Sequence, residues 1–205
     1  MAVGISKVGA GIGIMLIPLL ATWLIGSFGW RDTYIIISVI ATVGILSAGL
    51  LYKRDPGQVG ALPDGATVEE NAYSNITSRQ FSLREAISTR QFWIFSVIWF
   101  GCMFPVQVVL VHMVPHITDL GISATIAATV ISVVGGASIL SRLAIGNLND
   151  CIGTKSAFTI AVAFLTASMI WVLFAREAWM FYLFAVFYGI AHGAFFTLLS
   201  PMLAG

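Results

Sequence analysis

Six stretches, at 8–30, 33–52, 92–115, 122–141, 156–175 and 178–204, contain no Asp, Glu, Lys or Arg. A helix needs about 20 mostly apolar residues to cross the hydrocarbon core of a bilayer. Each stretch meets that length, and the ten Lys+Arg and nine Asp+Glu all fall before or between them. In lipid a backbone is satisfied only within helices or closed barrels. The alternating pattern of barrel strands is absent, so the expectation is an all-α membrane protein with six transmembrane helices. Charged residues make up 9% of the chain, against about 25% in soluble domains. That excludes a soluble enzyme, and the 59% hydrophobic content excludes a disordered chain. The near-cancelling charges leave no basic footprint for nucleic acid. Cys102 and Cys151 make no disulfide framework.

The joints between spans read as short, with one exception. Gly29-Trp30-Arg31-Asp32 is expected as a tight hairpin, and Gly146 to Lys155 as the loop between the fourth and fifth spans. Lys53 to Gln91 is polar, holds Pro56, Pro63, Gly57, Gly60 and Gly65, and reads as an aqueous linker between two helical bundles. The expected organisation is therefore 1–52, a linker over 53–91, and 92–205. Near the linker's end, Ser82-Leu83-Arg84-Glu85 is a capping-box pattern. It opens either a short amphipathic surface helix, with Phe81, Leu83 and Ile87 as its apolar face, or a plain extended segment. Seven basic residues (Lys53, Arg54, Arg79, Arg84, Arg90, Arg142, Lys155) collect on one side and two (Arg31, Arg176) on the other. The positive-inside bias puts the linker in the cytoplasm, where the Asn75-Ile76-Thr77 sequon is idle. Lys7, before the first span, reads as an interface residue and not as the n-region of a leader.

Helix breakers and polar atoms are tolerated where helices face protein or water. The second and fifth spans have no Pro, His or charge, which suits lipid-facing positions. The first has Gly4, Gly9, Gly11 and Gly13, which look like helix-packing residues, and Pro18. The third has Pro105, Gln107, His112 and Pro115; the fourth Ser132, Gly135, Gly136 and Ser138, ending at Arg142; the sixth Gly189, His192, Gly193 and Pro201. These four are expected to surround a polar cavity, the pattern of a secondary transporter.

On a helical wheel Ala128, Ser132, Gly135, Arg142 and Gly146 share one stripe of the fourth span, with Ser138 at its edge. Arg142 reads two ways on spacing alone. Its planar fork suits a carboxylate in the cavity wall, or its side chain snorkels to the cytoplasmic interface. His112 and His116 stand at i and i+4 but lack a third ligand, so no metal is expected. His112 lines an outer vestibule or packs near the interface. His192, deep in the sixth span, is either a proton or substrate group or a neutral histidine bonded to a neighbouring helix.

Three stretches resemble the major facilitator superfamily, and within it the monocarboxylate-porter group that includes oxalate–formate antiporters. Met1-Ala2-x-Gly4-x-Ser6-x-Val8-Gly9-x-x-x-Gly13, with Pro18 following, is similar to the fifth-helix signature, without the basic residues that normally precede it. Gly146-x-x-x-Asp150-x-x-Gly153-x-Lys155 resembles the loop between helices eight and nine, with Cys151 where a basic residue usually follows the aspartate. Phe81-Ser-Leu-Arg-Glu-Ala, Phe92-Trp93, Val111-His112-Met-Val-Pro115 and Asp119-Leu-Gly121 resemble the linker end and seventh helix of bacterial members. The resemblance implies that the six spans are helices five to ten of a twelve-helix fold, a fragment whose remaining helices lie outside this chain.

It also implies roles. Arg142 with Gly146 matches the eighth-helix arginine that binds substrate carboxylate. Gly146, Asp150, Gly153 and Lys155 fall on the loop that takes part in the conformational switch. Ser138 stands where proton-linked animal members have an aspartate, so coupling would fall to His192 or to residues elsewhere. The function expected is secondary transport of a small mono- or dicarboxylate across a bacterial inner membrane, as symport or antiport, with Arg142, Ser138, His112, Gln107 and His192 as substrate-binding candidates. A coupling proton and the lipid bilayer are the other expected partners; no cofactor, metal or nucleic acid is expected. The alternative within the fold is a porter for a neutral solute, nucleoside or drug. A non-transporting sensor or a membrane-embedded enzyme is the remote alternative, since His192 lacks a paired nucleophile.

Overall fold

The structure is a computed structural model and describes residues 7–51 and 83–204, side chains at 51, 146, 147, 150 and 199–204 excepted. Gly4, most of the linker with Asn75, and Phe81 and Ser82 of the capping-box stretch lie outside the described residues. Among those described, every regular element is a helix: α1 Val8–Leu51, α2 Leu83–Ile87, α3 Arg90–Asp119, α4 Ala124–Ile152, α5 Thr154–Val172 and α6 Ala178–Ala204. The five long ones are apolar enough to cross a membrane.

At 44 residues α1 has twice a crossing length, and it holds the first two expected spans. The break between them is Gly29, at φ 77° and ψ 169°. That backbone region is essentially closed to residues with a Cβ. The expected four-residue hairpin is thus a one-residue break, with Trp30, Arg31 and Asp32 already helical. Buried Thr33 donates from Oγ1 to the Gly29 carbonyl at 2.7 Å, which satisfies an acceptor at the break.

The expected loop over 146–155 needs a larger correction. α4 continues through Gly146 and Asp150 to Ile152, and Lys155 lies in the first turn of α5. The joint is Gly153 alone, at φ 79° and ψ 155°, and its N–H bonds the Asn149 carbonyl at 3.0 Å. The polar residues after Ile145 therefore do not end the helix. The short helix near the linker's end is present over five residues as α2, and Trp93 Nε1 donates to the Ile87 carbonyl at 2.9 Å.

The described residues divide into two units, 34–51 with 83–100, and 7–33 with 101–204. In the first, apolar side chains such as Ile45, Val97 and Phe100 are largely exposed, which suits contact with lipid. In the second, α4 and α6 form the interior. Ala127, Val130 and Val134 of α4 and Phe181, Phe184, Ala185 and Tyr188 of α6 are all fully buried. Glycine lets these backbones meet: a Cβ on Gly189 would lie 2.6 Å from the Val134 carbonyl oxygen, and one on Gly193 would strike the Ser138 carbonyl. The first half of α1 joins this interior through Gly11, whose Cβ would meet Ile139 and Ser138, and through Gly135 of α4 against the backbone of Met15. Of the glycines expected to pack helices, Gly11 does so among the described residues, whereas a Cβ at Gly9 or Gly13 would meet nothing within 4 Å there. Pro18 faces a cavity of about 450 Å³ shared with Gly13, Leu110 and Ile131.

Candidate functional site

The glycine seams carry α4 deep into the unit, and its one cation goes with it. Arg142 is 2% exposed. Its Nη1 donates to the Lys7 carbonyl at 2.8 Å, and its guanidinium lies 5.8 Å from the centre of the Phe196 ring on α6. Lys7 Nζ donates in turn to the Phe196 carbonyl at 2.6 Å. Lys7, Arg142 and Phe196 therefore close a ring of contacts among the start of α1, the later half of α4 and the later half of α6. Lys7 sits just outside the first span, where burial and then the charge of Arg142 lower its pKa. Arg142 Nε is buried without a hydrogen-bond partner among the described residues. The snorkelling reading of Arg142 requires an exposed head group, and the 2% exposure opposes it.

His192 joins this cluster through the same ring. It is 3% exposed, and its imidazole lies 4.8 Å from Phe196 and 6.0 Å from Tyr188 between ring centres. Its Nδ1 has no hydrogen-bond partner among the described residues. Two unsatisfied buried polar atoms, Arg142 Nε and His192 Nδ1, thus flank one aromatic ring. Such atoms are costly unless something supplies a partner.

The other sequence candidates divide. Ser138 is fully buried, and its Oγ donates to the Gly135 carbonyl of its own helix at 2.9 Å. Gln107 and His112 lie on exposed positions of α3 and do not join Arg142. His112 instead lines a cavity of about 280 Å³ with His116 and Arg176. Gly146, Asp150, Gly153 and Lys155 fall together around the α4–α5 joint. Cys102 is buried and Cys151 exposed. Among the described residues no three metal-ligating side chains converge.

Several contributors were missed in the sequence. Ser141 Oγ donates to the Ile190 carbonyl at 2.7 Å, Thr129 Oγ1 and Tyr182 Oη share a hydrogen bond of 2.6 Å, and Tyr188 Oη donates to the Val106 carbonyl at 3.1 Å. One signal was available: Tyr188, His192 and Phe196 recur at i, i+4 and i+8, a stripe on one face of α6.

Five helices of this length and apolarity define a multi-pass membrane protein. The chain belongs to the Major Facilitator Superfamily, whose family model matches residues 1–205. It is 23% identical over 200 residues to the MFS transporter asaE of Aspergillus flavus, covering 96% of this chain and 41% of that protein. It is 26% identical over 171 residues to the uncharacterized MFS-type transporter YhjX of Escherichia coli, covering 80% of this chain and 39% of that one. A segment of 76 residues is 33% identical to the riboflavin transporter RibJ of Trypanosoma brucei brucei, covering 37% of this chain and 14% of that protein. The chain spans about two fifths of the length of the first of these relatives.

Proposed function

We propose that the protein carrying this chain is a secondary active transporter that moves a small organic anion, a mono- or dicarboxylate, across the cytoplasmic membrane by alternating access. On this reading residues 1–52 and 92–205 belong to opposing bundles, and the linker and the α4–α5 joint face the cytoplasm. Arg142 is the anion contact, and His192 beside it supplies a second polar contact or a coupling proton. Asp150, with Gly146, Gly153 and Lys155, biases the inward- and outward-facing states. The carrying observation is the buried guanidinium of Arg142, which has a carbonyl and a ring face as neighbours and an unsatisfied Nε. Among the described residues no anion pairs with it; a buried cation so placed is costly, and a carboxylate in two parallel hydrogen bonds would relieve that cost.

The test is uptake of labelled mono- and dicarboxylates by the full-length protein in liposomes. A charge-assisted hydrogen bond contributes about 1.5–3 kcal/mol. Arg142→Lys, which keeps the charge and loses the fork, should weaken carboxylate affinity roughly tenfold to a hundredfold. Arg142→Gln should abolish uptake while still inserting. Near-normal affinity in Arg142→Lys would overturn the carboxylate reading. The second reading, a neutral solute, is favoured by the apolar lining of the cavity beside Gly13, Pro18, Leu110 and Ile131. It predicts uptake that is indifferent to both substitutions.

A further inference from the structure

The cavity that takes in His112 is separate from Arg142. It lies between the last turns of α3, the end of α5 and the α5–α6 turn, lined by Val108, Val109 and Met113 with His112, His116 and Arg176. α6 begins beside it, whereas Phe196 at the Arg142 cluster is about 27 Å further along that helix, at ~1.5 Å per residue. Its volume of about 280 Å³ suits one ring or a short alkyl chain with a head group. The walls are Val, Met, Leu and Ala, and the polar groups are all cations or potential cations. Among the described residues no carboxylate lines it. The nearest acid in sequence to Arg176, Glu177, accepts from Trp179 Nε1 at 2.7 Å. His116 is set against the buried Phe181 ring, edge to face at 5.8 Å, which holds one side of the site in place. No described residue bonds the imidazole of His112 or the guanidinium of Arg176, so both are available to a ligand.

We propose that this cavity is a second binding site, for an amphiphilic organic anion. The apolar body enters between α3 and α5, and the carboxylate or phosphate is held at the mouth by Arg176 with His112 and His116. A soluble aromatic or short-chain acid and an anionic lipid share that chemistry.

Benzoate is a suitable probe, with benzyl alcohol as its neutral counterpart, titrated calorimetrically against the full-length protein in phosphatidylcholine nanodiscs. Saturable benzoate binding is expected at this site, with none for benzyl alcohol. Binding should survive Arg142→Gln and fall at least tenfold in Arg176→Gln and in His116→Gln. A retained size-exclusion profile and retained transport in the latter two would show that they fold. Nanodiscs containing phosphatidylglycerol assign the source. Weaker benzoate binding in wild type but not in Arg176→Gln identifies a lipid head group, and unchanged binding identifies a soluble acid. Absence of benzoate binding, equal binding of benzyl alcohol, or loss in Arg142→Gln with no effect of Arg176→Gln would overturn the proposal. The transport reading is tested by carboxylate uptake in wild type and the Arg142 variants, and this site by benzoate binding in the Arg176 and His116 variants, so failure here leaves the transport reading intact.

Discussion

At Gly193 a single missing methyl group decides whether two helices fit. A Cβ there would strike the Ser138 carbonyl and lie 2.9 Å from the Ser141 Cβ. Backbone cannot yield as a side-chain tip can, and overpacking a fitted interior costs about 1–3 kcal/mol. Gly193→Ala should therefore lower the thermal midpoint of the detergent-solubilised protein by several degrees. Gly9→Ala, whose Cβ meets open space, should leave it unchanged. Equal effects would show that the signature glycine of α1 packs as tightly as Gly193. The sequence marked Arg142, Ser138 and His192 as an inward set, because polar groups in apolar stretches stand out. It could not show that Arg142 reaches the Lys7 carbonyl or that Lys7 reaches that of Phe196. Backbone acceptors are identical at every residue, so nothing in the sequence singles them out. Gly11 was one of four neighbouring glycines, and only the rotation of α1 selects it.

The helices themselves were legible from charge-free length. Their ends were less so. Gly146-Asn147-Leu148-Asn149-Asp150 looked like a loop because it is polar and rich in weak helix formers. Once outside the apolar layer a helix can carry such residues freely, and α4 continues to Ile152. What stops it is Gly153, in a conformation that only glycine adopts readily. Gly153→Ala should strain the α4–α5 joint by about 1–3 kcal/mol. Asn, which rescues left-handed helical positions, should fail here, because ψ is 155°. Thermal melts of both variants check this, and wild-type stability in Gly153→Asn would contradict it. The same logic applies to Gly29, where an expected four-residue turn contracted to one residue.

For the whole molecule, the side of the membrane is the property that most needs a measurement. Cys151 is exposed at the end of α4, and Cys102 is buried in α3. If the basic residues mark the cytoplasm, a membrane-impermeant maleimide should label Cys151 in inverted vesicles and not in intact cells. Labelling from outside would reverse the topology and with it the expected position of the linker. The family was legible from short motifs. The substrate was not, because it depends on a few contacts inside a shared fold. A further expectation follows from length. The chain covers 41% of the first relative named above. The 205-residue chain alone should insert into liposomes yet fail to accumulate carboxylate, whereas the full-length protein succeeds; accumulation by the chain alone would refute this.

The hydrogen bonds between helices are unevenly distributed. α4 and α6 are fastened by Ser141 to Ile190 and by Thr129 to Tyr182, and α6 is fastened to α3 by Tyr188 to Val106. Between the first half of α1 and α4 the closest approaches are made by glycines, Gly135 against the Met15 backbone and Gly11 against Ile139 and Ser138. Such a face is close-fitting, and among the described residues the side chains at it are few, Ile14 and Met15 from α1 and Ser138 and Ile139 from α4. The bond from Arg142 to Lys7 stands at one end of it. In mechanical terms α3, α4 and α6 are riveted plates, and the bond from Arg142 to Lys7 is a pin beside the α1–α4 seam. If Arg142 is the anion contact proposed above, an anion that engages it would draw that pin and loosen the seam beside it.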